Sequence, residues 1–307
     1  MRIVFFGTPE FALASLRALL QSRFDVAGVV TQPDKPQGRS RSQLVPPPVK
    51  VVAQSEGLPV LQPVRPTGDV FIASLRRLEP ELGIVVAYGH ILRPEVLTLP
   101  PRGMINVHAS LLPRFRGAAP VQHAILKGET ETGVSIMQME AGLDSGPVLH
   151  RVSTPIEPGE TAGSLSVRLA ELGATALIEA LSLMSAGLAR PQPQDASRAT
   201  FAPKIDRDTA RLSWAMDATT LVRQVRAFDP APGAWTLLNG DSLKLFGARE
   251  VAGTGEPGTV LAAGERLVVA AGRGAVAVQE IQPAGRGRLP VAAWVRGRGV
   301  SPGQRLE

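Results

Sequence analysis

The chain has 307 residues, a net charge of +6 and no cysteine. The absence of cysteine excludes disulfides, thiolate nucleophiles and cysteine-ligated metal centres, so any catalytic groups are nitrogen and oxygen atoms. The first residues lack the pattern of a signal peptide, and no run of about 18 uncharged apolar residues follows. We therefore expect a cytoplasmic protein that does not associate with membranes.

Short apolar runs alternate with helical patterns in the first part of the chain. We predict strands at residues 2–6, 26–30, 82–87, 104–108 and 133–139. We predict helices at residues 10–21, 49–55, 70–78 and 162–184. Thr8 is placed to cap the first of these helices. Because the strands are continuously apolar, as buried parallel strands are, the pattern predicts an α/β fold with a doubly wound, mostly parallel sheet.

The composition changes near residue 186. Residues 186–203 contain three prolines and few large apolar side chains, which is typical of an exposed linker. A helix at 218–228 is followed by short strand patterns separated by glycines, which favour a small barrel. These strands are predicted at residues 234–238, 243–247, 258–261, 267–271 and 275–281. The predicted division is a first domain at 1–189, a linker at 190–205 and a second domain at 206–307.

Asn106 and His108 stand at the end of a predicted strand. Residues two apart on a strand point to the same face, so the amide and the imidazole project together. In open α/β sheets, ligands bind beyond the carboxyl ends of the strands. Taken alone, such a pair more often satisfies backbone groups of a loop.

Two loops complete the candidate site. Ser110, Leu111, Leu112 and Pro113 form a stretch stiffened by proline, which could hold backbone groups for a planar polar ligand or be an ordinary structured connection. Asp144 lies between glycines, where it could reach His108 or simply form a turn. Together, an amide, an imidazole and a carboxylate suit acyl transfer to an amine. The amide can donate to the oxyanion of the tetrahedral intermediate, and the imidazole, oriented by the carboxylate, can carry the proton of the amine. Ser110 is a weaker candidate nucleophile, because no G-x-S-x-G surrounds it.

Several motifs resemble the folate-dependent formyltransferase family. The run NVHASLLPRFRGAAPVQ begins at residue 106 and is followed by ETGVSIMQM and GLDSGP. These motifs are similar to the family signature in order and spacing, as are FFGTPEFA and TQPDKPQGR near the N-terminus. The resemblance implies a Rossmann-like sheet followed by an OB-like β-barrel, and transfer of a formyl group from 10-formyltetrahydrofolate to the α-amino group of methionyl initiator tRNA.

The resemblance also implies roles for individual residues. The family's catalytic residues fall on Asn106, His108 and Asp144, its folate-contacting run falls on residues 110–113, and no metal is required. Its tRNA-binding insertion falls on residues 34–50, where Lys35, Arg39 and Arg41 are the candidate contacts. Residues 190–307 carry 16 basic and 11 acidic side chains and so hold +5 of the net charge, which suits phosphate contacts. We expect a monomer.

Other functions remain to be weighed. A nicotinamide oxidoreductase is disfavoured because GTPEFA, at residues 7–12, lacks the spacing G-x-G-x-x-G. A non-enzymatic RNA-binding protein would account for the basic charge but would not need the amide, imidazole and carboxylate. A folate-dependent formyltransferase acting on a small amine shares that chemistry, and the second domain disfavours it.

Overall fold

The structure is a computed structural model that describes residues 1–37, 43–297 and 299–307. The helices are α1 (Phe11–Gln21), α2 (Pro48–Ser55), α3 (Asp69–Arg76), α4 (Pro94–Leu97), α5 (Pro120–Leu126), α6 (Ala162–Ser185), α7 (Ala218–Ala227) and α8 (Val291–Arg296). A short 3-10 helix spans Ala196–Arg198. The chain divides into two compact units, the first of residues 1–117, 131–155 and 166–201, and the second of residues 118–130, 156–165 and 202–307.

The first unit contains a mixed sheet flanked by helices. Its strands are β1 (Arg2–Gly7), β2 (Asp25–Val30), β5 (Val60–Leu61), β6 (Leu82–Val86), β7 (Met104–His108), β8 (Glu131–Gln138) and β9 (Val148–Pro155). Among the described residues the strand order is β5-β2-β1-β6-β7-β8-β9. The first five strands are parallel, and β8 and β9 are antiparallel. The order reverses between β1 and β6, which is the switch point where ligands bind in such sheets.

Burial explains the sheet. Residues 3–6 of β1 are completely buried, as expected for a strand covered on both faces.

The prediction that Thr8 caps α1 was wrong: α1 begins after Glu10 without a side-chain cap, and the Thr8 hydroxyl donates to the carbonyl of Tyr88 at 3.0 Å. Thr8 therefore ties the end of β1 to the end of β6 across the switch point.

A two-stranded ribbon extends from the segment after β2. Its strands are β3 (Lys35–Gln37) and β4 (Gln43–Val45), which pair antiparallel. At its base the Lys50 ammonium lies 2.7 Å from a carboxylate oxygen of Asp34, and the Gln62 amide donates to the same carboxylate. The sequence patterns did not predict this ribbon.

The second unit is built mainly of antiparallel strands. They are β10 (Ala234–Leu238), β11 (Asp241–Phe246), β12 (Arg249–Val251), β13 (Val260–Ala263), β14 (Leu267–Ala270), β15 (Ala275–Val278), β16 (Glu280–Pro283) and β17 (Leu289–Pro290). Within the described part of the chain they form two four-stranded sheets, β10-β11-β16-β17 and β12-β15-β14-β13. The single strand predicted at 275–281 was wrong, because the chain leaves one sheet at Gln279 and enters the other. The predicted fold class, a mostly parallel sheet followed by a smaller antiparallel domain, is confirmed.

Candidate active site

Strand β7 carries the first two candidate residues. Asn106 pairs with Val85 of β6 and Met137 of β8, so it lies inside the sheet near the carboxyl end of the parallel strands. On the opposite face of β7, helix α6 approaches so closely that a Cβ on Gly173 would lie 2.9 Å from a methyl of Val107. Because side chains alternate along a strand, Asn106 and His108 project away from this helix.

His108 is buried, and a polar group lies near each of its ring nitrogens. The residue is only 5% exposed, and Nε2 is 3.0 Å from the carbonyl oxygen of Phe115. Since a carbonyl can only accept, Nε2 carries a hydrogen and the neutral ring has its lone pair at Nδ1. Nδ1 lies 3.7 Å from Oδ2 of Asp144. Nδ1 is therefore the nitrogen that can take up a proton, and the charged ring would then face a carboxylate.

Asp144 is brought to His108 by a tight loop. Its φ of 45° is in the left-handed region, which few side chains occupy unless surrounding contacts enforce it. Its Oδ2 accepts a hydrogen bond of 2.8 Å from the backbone N–H of Gly117, and its side chain is 16% exposed. The carboxylate is thus fixed on one side by Gly117 and lies beside the imidazole on the other.

Gln194 holds this loop from a segment distant in sequence. Its Nε2 donates to the carbonyls of Asp144 and Gly146, at 2.8 and 2.7 Å. Its Oε1 accepts from Nε and Nη2 of Arg116, at 3.1 and 2.7 Å. Sequence reasoning missed Gln194, because it lies in a proline-rich segment with no motif around it.

The run Ser110–Pro113 is a tightly bonded turn. Ser110 is fully buried, and its hydroxyl donates to the carbonyl of Arg114 at 2.6 Å. Its own carbonyl accepts from the hydroxyl of Ser135, which also receives the N–H of Leu112. Leu112 is buried as well, while Leu111 and Pro113 are half-buried. The Ser110 hydroxyl thus donates its hydrogen to a backbone carbonyl, which disfavours a role as the nucleophile.

A cavity lies at the amino end of β7, and Asn106, His108 and Asp144 are not among its lining residues. It has a volume of about 470 Å³ and is lined mainly by apolar groups, among them Leu97, Met139 and Ala141. Ala141 is three residues before Asp144 on the same loop. The Asn106 amide is half-buried and has no hydrogen-bond partner within the described residues, which leaves its donors available to a bound molecule.

Tyr88 is a buried residue two positions after the end of β6. Its ring packs edge-on against Phe6, with centroids 5.4 Å apart. The hydroxyl is buried and finds no partner among the residues the structure describes. Burial raises the pKa of the Tyr88 phenol to about 12, so the group stays neutral at physiological pH and does not serve as a base.

The predicted tRNA-contacting residues are only partly described. Lys35 is exposed on β3, at the base of the ribbon. Arg39 and Arg41 lie outside the described residues. Lys50, which adds to the positive charge of this segment, is ion-paired with Asp34.

Some of the basic side chains of the second unit are also neutralised. Arg288 contacts the carboxylates of Asp229 and Glu280, at 2.8 and 2.6 Å, and Arg305 contacts Glu256 at 2.8 Å. Both guanidinium groups are therefore engaged by carboxylates of the same unit.

Within the described ranges, no group of three or more histidine, aspartate or glutamate side chains is placed to hold a metal ion. No helix in them is long and apolar enough to cross a membrane.

Comparison with known proteins now gives the class. Residues 1–181 match the family model described as formyl transferase, and residues 204–299 match formyl transferase, C-terminal domain. The chain therefore belongs to the formyl transferase family and is a formyltransferase enzyme. It is 46% identical to the methionyl-tRNA formyltransferase of Geobacter sulfurreducens, over 100% of this chain and 96% of that protein. It is 47% identical to that of Myxococcus xanthus, over 98% of this chain and 96% of that one.

Solved structures share the fold. HypX from Aquifex aeolicus, solved in complex with tetrahydrofolic acid, superposes with a TM-score of 0.67 at 23% identity, over 97% of this chain and 47% of that one. Methionyl-tRNA formyltransferase from Clostridium thermocellum superposes with a TM-score of 0.58 at 13% identity, over 94% and 100%. The fold of this chain is therefore the fold of these enzymes.

Proposed function

We propose that this protein transfers the formyl group of 10-formyltetrahydrofolate to the α-amino group of methionyl initiator tRNA. The observation that carries the chemistry is the approach of the Asp144 carboxylate to His108 Nδ1, two residues along β7 from Asn106. The names of the relatives that match nearly the whole chain support the choice of acceptor. The acceptor amine forms a bond to the formyl carbon, and the bond from that carbon to the folate nitrogen breaks.

Asn106 stabilises the oxyanion in this proposal. When the amine attacks, the formyl oxygen gains negative charge, and a donor already aimed at it lowers the barrier more than one that must reorganise. The Asn106 amide is suited to this because none of the described residues forms a hydrogen bond with it and β7 is held from both sides by neighbouring strands.

His108 carries the proton. The attacking nitrogen becomes positively charged and must lose a proton, which His108 Nδ1 can accept because Nε2 is occupied by the carbonyl of Phe115. The imidazolium so formed is stabilised by Asp144 at 3.7 Å. The same proton can then pass to the folate nitrogen as the bond to it breaks, so the enzyme returns to its starting state.

The two substrates use separate parts of the chain. The turn at Ser110–Pro113 contributes to the folate site through its fixed backbone and its half-buried residues Leu111 and Pro113.

For the tRNA, we propose contacts from Lys35, Arg39 and Arg41. We further propose that residues 1–189 carry out catalysis and that residues 206–307 add to tRNA binding, with the linker 190–205 between them. We propose that the protein works as a monomer in the cytoplasm, without a membrane.

The test is a direct assay. Purified protein is mixed with labelled 10-formyltetrahydrofolate and initiator tRNA charged with methionine, and formylmethionyl-tRNA is separated and counted. Uncharged tRNA, free methionine and a small amino sugar serve as control acceptors. We expect product with charged initiator tRNA alone. Retention of tRNA without product would indicate an RNA-binding protein, and product with the small amine alone would assign another acceptor.

A further inference from the structure

Gln194 stands out from the segment in which it lies. Residues 191–193 and 195–198 are exposed, whereas Gln194 is half-buried. Its side-chain amide makes four hydrogen bonds of 2.7–3.1 Å, two as donor and two as acceptor. These bonds reach the Asp144 loop, 50 residues away in sequence, and Arg116, 78 residues away. Four hydrogen bonds fix the side chain in one conformation and so cost conformational entropy. A linker residue that only faces solvent would not be fixed in this way.

The partners of Gln194 fix the orientation of its amide. Arg116 has only donors, so the atom it contacts must be the oxygen of the amide. The NH2 group then has to point at the Asp144 loop, where it binds the carbonyls on either side of Ser145. Arg116 is itself only 8% exposed, so the guanidinium is a firm support for this contact.

The backbone of the loop held in this way passes through the left-handed region at Asp144. Asp144 adopts a φ of 45°, and a residue in this region persists only where its surroundings enforce it. One enforcing contact is the Gly117 N–H to the Asp144 carboxylate, and the two Gln194 bonds hold the backbone that follows, at the carbonyls of Asp144 and Gly146. Without the Gln194 bonds, the loop could relax and move the carboxylate away from His108.

We propose that Gln194 is a positioning residue for catalysis: it holds the Asp144 loop so that the carboxylate stays beside His108 Nδ1. The inference deepens the proposed function and rests on it. A misplacement of a catalytic group by about 1 Å can reduce turnover about 100-fold. Gln194 acts only through Asp144, so its removal should change kcat and leave the binding of both substrates unchanged.

The variants Gln194→Ala and Gln194→Glu separate the two sides of the contact. Alanine removes all four hydrogen bonds, while glutamate keeps an acceptor for Arg116 and loses both donors to the loop. Gln192→Ala is the matched control, because Gln192 is an exposed glutamine two residues away. We expect both Gln194 variants to lose at least about tenfold in kcat, with the two KM values within twofold of wild type. Gln192→Ala should match wild type.

A double mutant tests whether Gln194 acts through Asp144. In an Asp144→Asn background, Gln194→Ala should cause no further loss of kcat, because the charge it positions is already gone. Losses that multiply in the double mutant, or a Gln194→Ala variant within twofold of wild type, would overturn the proposal. A loss that appears in KM with kcat unchanged would overturn it as well.

A second measurement does not depend on turnover. The Gly117 N–H donates to Asp144, so its hydrogen-exchange rate reports the position of that carboxylate. Both Gln194 variants should speed exchange at Gly117 about tenfold or more, and Gln192→Ala should not. Unchanged exchange would refute the positioning role. If wild-type protein made no formylated tRNA while Gly117 responded as expected, the proposed function would fail and the structural role of Gln194 would stand.

Discussion

Replacing Asp144 by asparagine tests the electrostatic part of the site with little change of shape. The asparagine carbonyl can still accept the Gly117 N–H, so the loop keeps that contact. What is lost is the negative charge 3.7 Å from His108 Nδ1. Two unit charges at that separation interact by about 4 kcal/mol at an effective dielectric constant of about 20. Because the amide dipole retains part of this, we expect the barrier to rise by about 2–4 kcal/mol, which is about 30- to 1,000-fold in rate.

The assay is single-turnover formyl transfer with both substrates saturating. Saturation removes binding from the comparison, so the rate reports the chemical step. Glu56→Gln removes an exposed carboxylate from the end of α2 and serves as the matched control, with an expected rate equal to wild type. An Asp144→Asn rate within threefold of wild type would refute the reasoning, because it would mean that no charge develops on His108 in the rate-determining step.

Three further predictions concern the tRNA contact and the stability of each unit. Arg39→Ala should weaken the reaction with tRNA and leave the KM for folate unchanged; equal changes in both would remove this residue from the tRNA site. Hydrogen bonds, mainly from Gln62, hold the pKa of the Asp34 carboxyl below its usual 3.8, so Asp34 stabilises the fold above about pH 4 and loses this as pH falls. Urea unfolding should therefore separate wild type from Asp34→Asn at pH 7, and the gap should narrow as the pH falls below 3.8; a gap independent of pH would contradict this. Arg288→Ala leaves the buried Asp229 with one charged partner fewer and should lower the free energy of unfolding by about 1–3 kcal/mol in the same assay, whereas no change would show that the pair is neutral for stability.

The parts of the site that the sequence predicted are those that follow from local periodicity. The alternation of side chains along a strand placed Asn106 and His108 on one face, and the apolar run before them placed that strand inside the sheet. The glycines around Asp144 indicated a tight loop, and the structure brings its carboxylate to within 3.7 Å of the ring. That approach was one of two readings left open by the residues alone.

The parts that could not be predicted depend on contacts between distant segments. Nothing in the residues near Gln194 indicates that it binds a loop 50 positions earlier. The Thr8 hydroxyl had a plausible local role as a cap, but a carbonyl 80 residues away competes for it. Arg288 is one of the basic side chains in residues 190–307 whose charge suits phosphate contacts, but the fold places Asp229 against it. In each case the polar partner is supplied by tertiary structure, which a pattern of neighbours does not contain.

The most direct measurement of the central claim is the rate of formyl transfer by His108→Ala, with tRNA affinity measured in parallel. If His108 carries the amine proton, turnover should fall by about 10²- to 10⁴-fold while the dissociation constant for methionyl initiator tRNA stays within twofold. A variant that keeps more than about a tenth of the wild-type rate would contradict general acid–base catalysis at this residue.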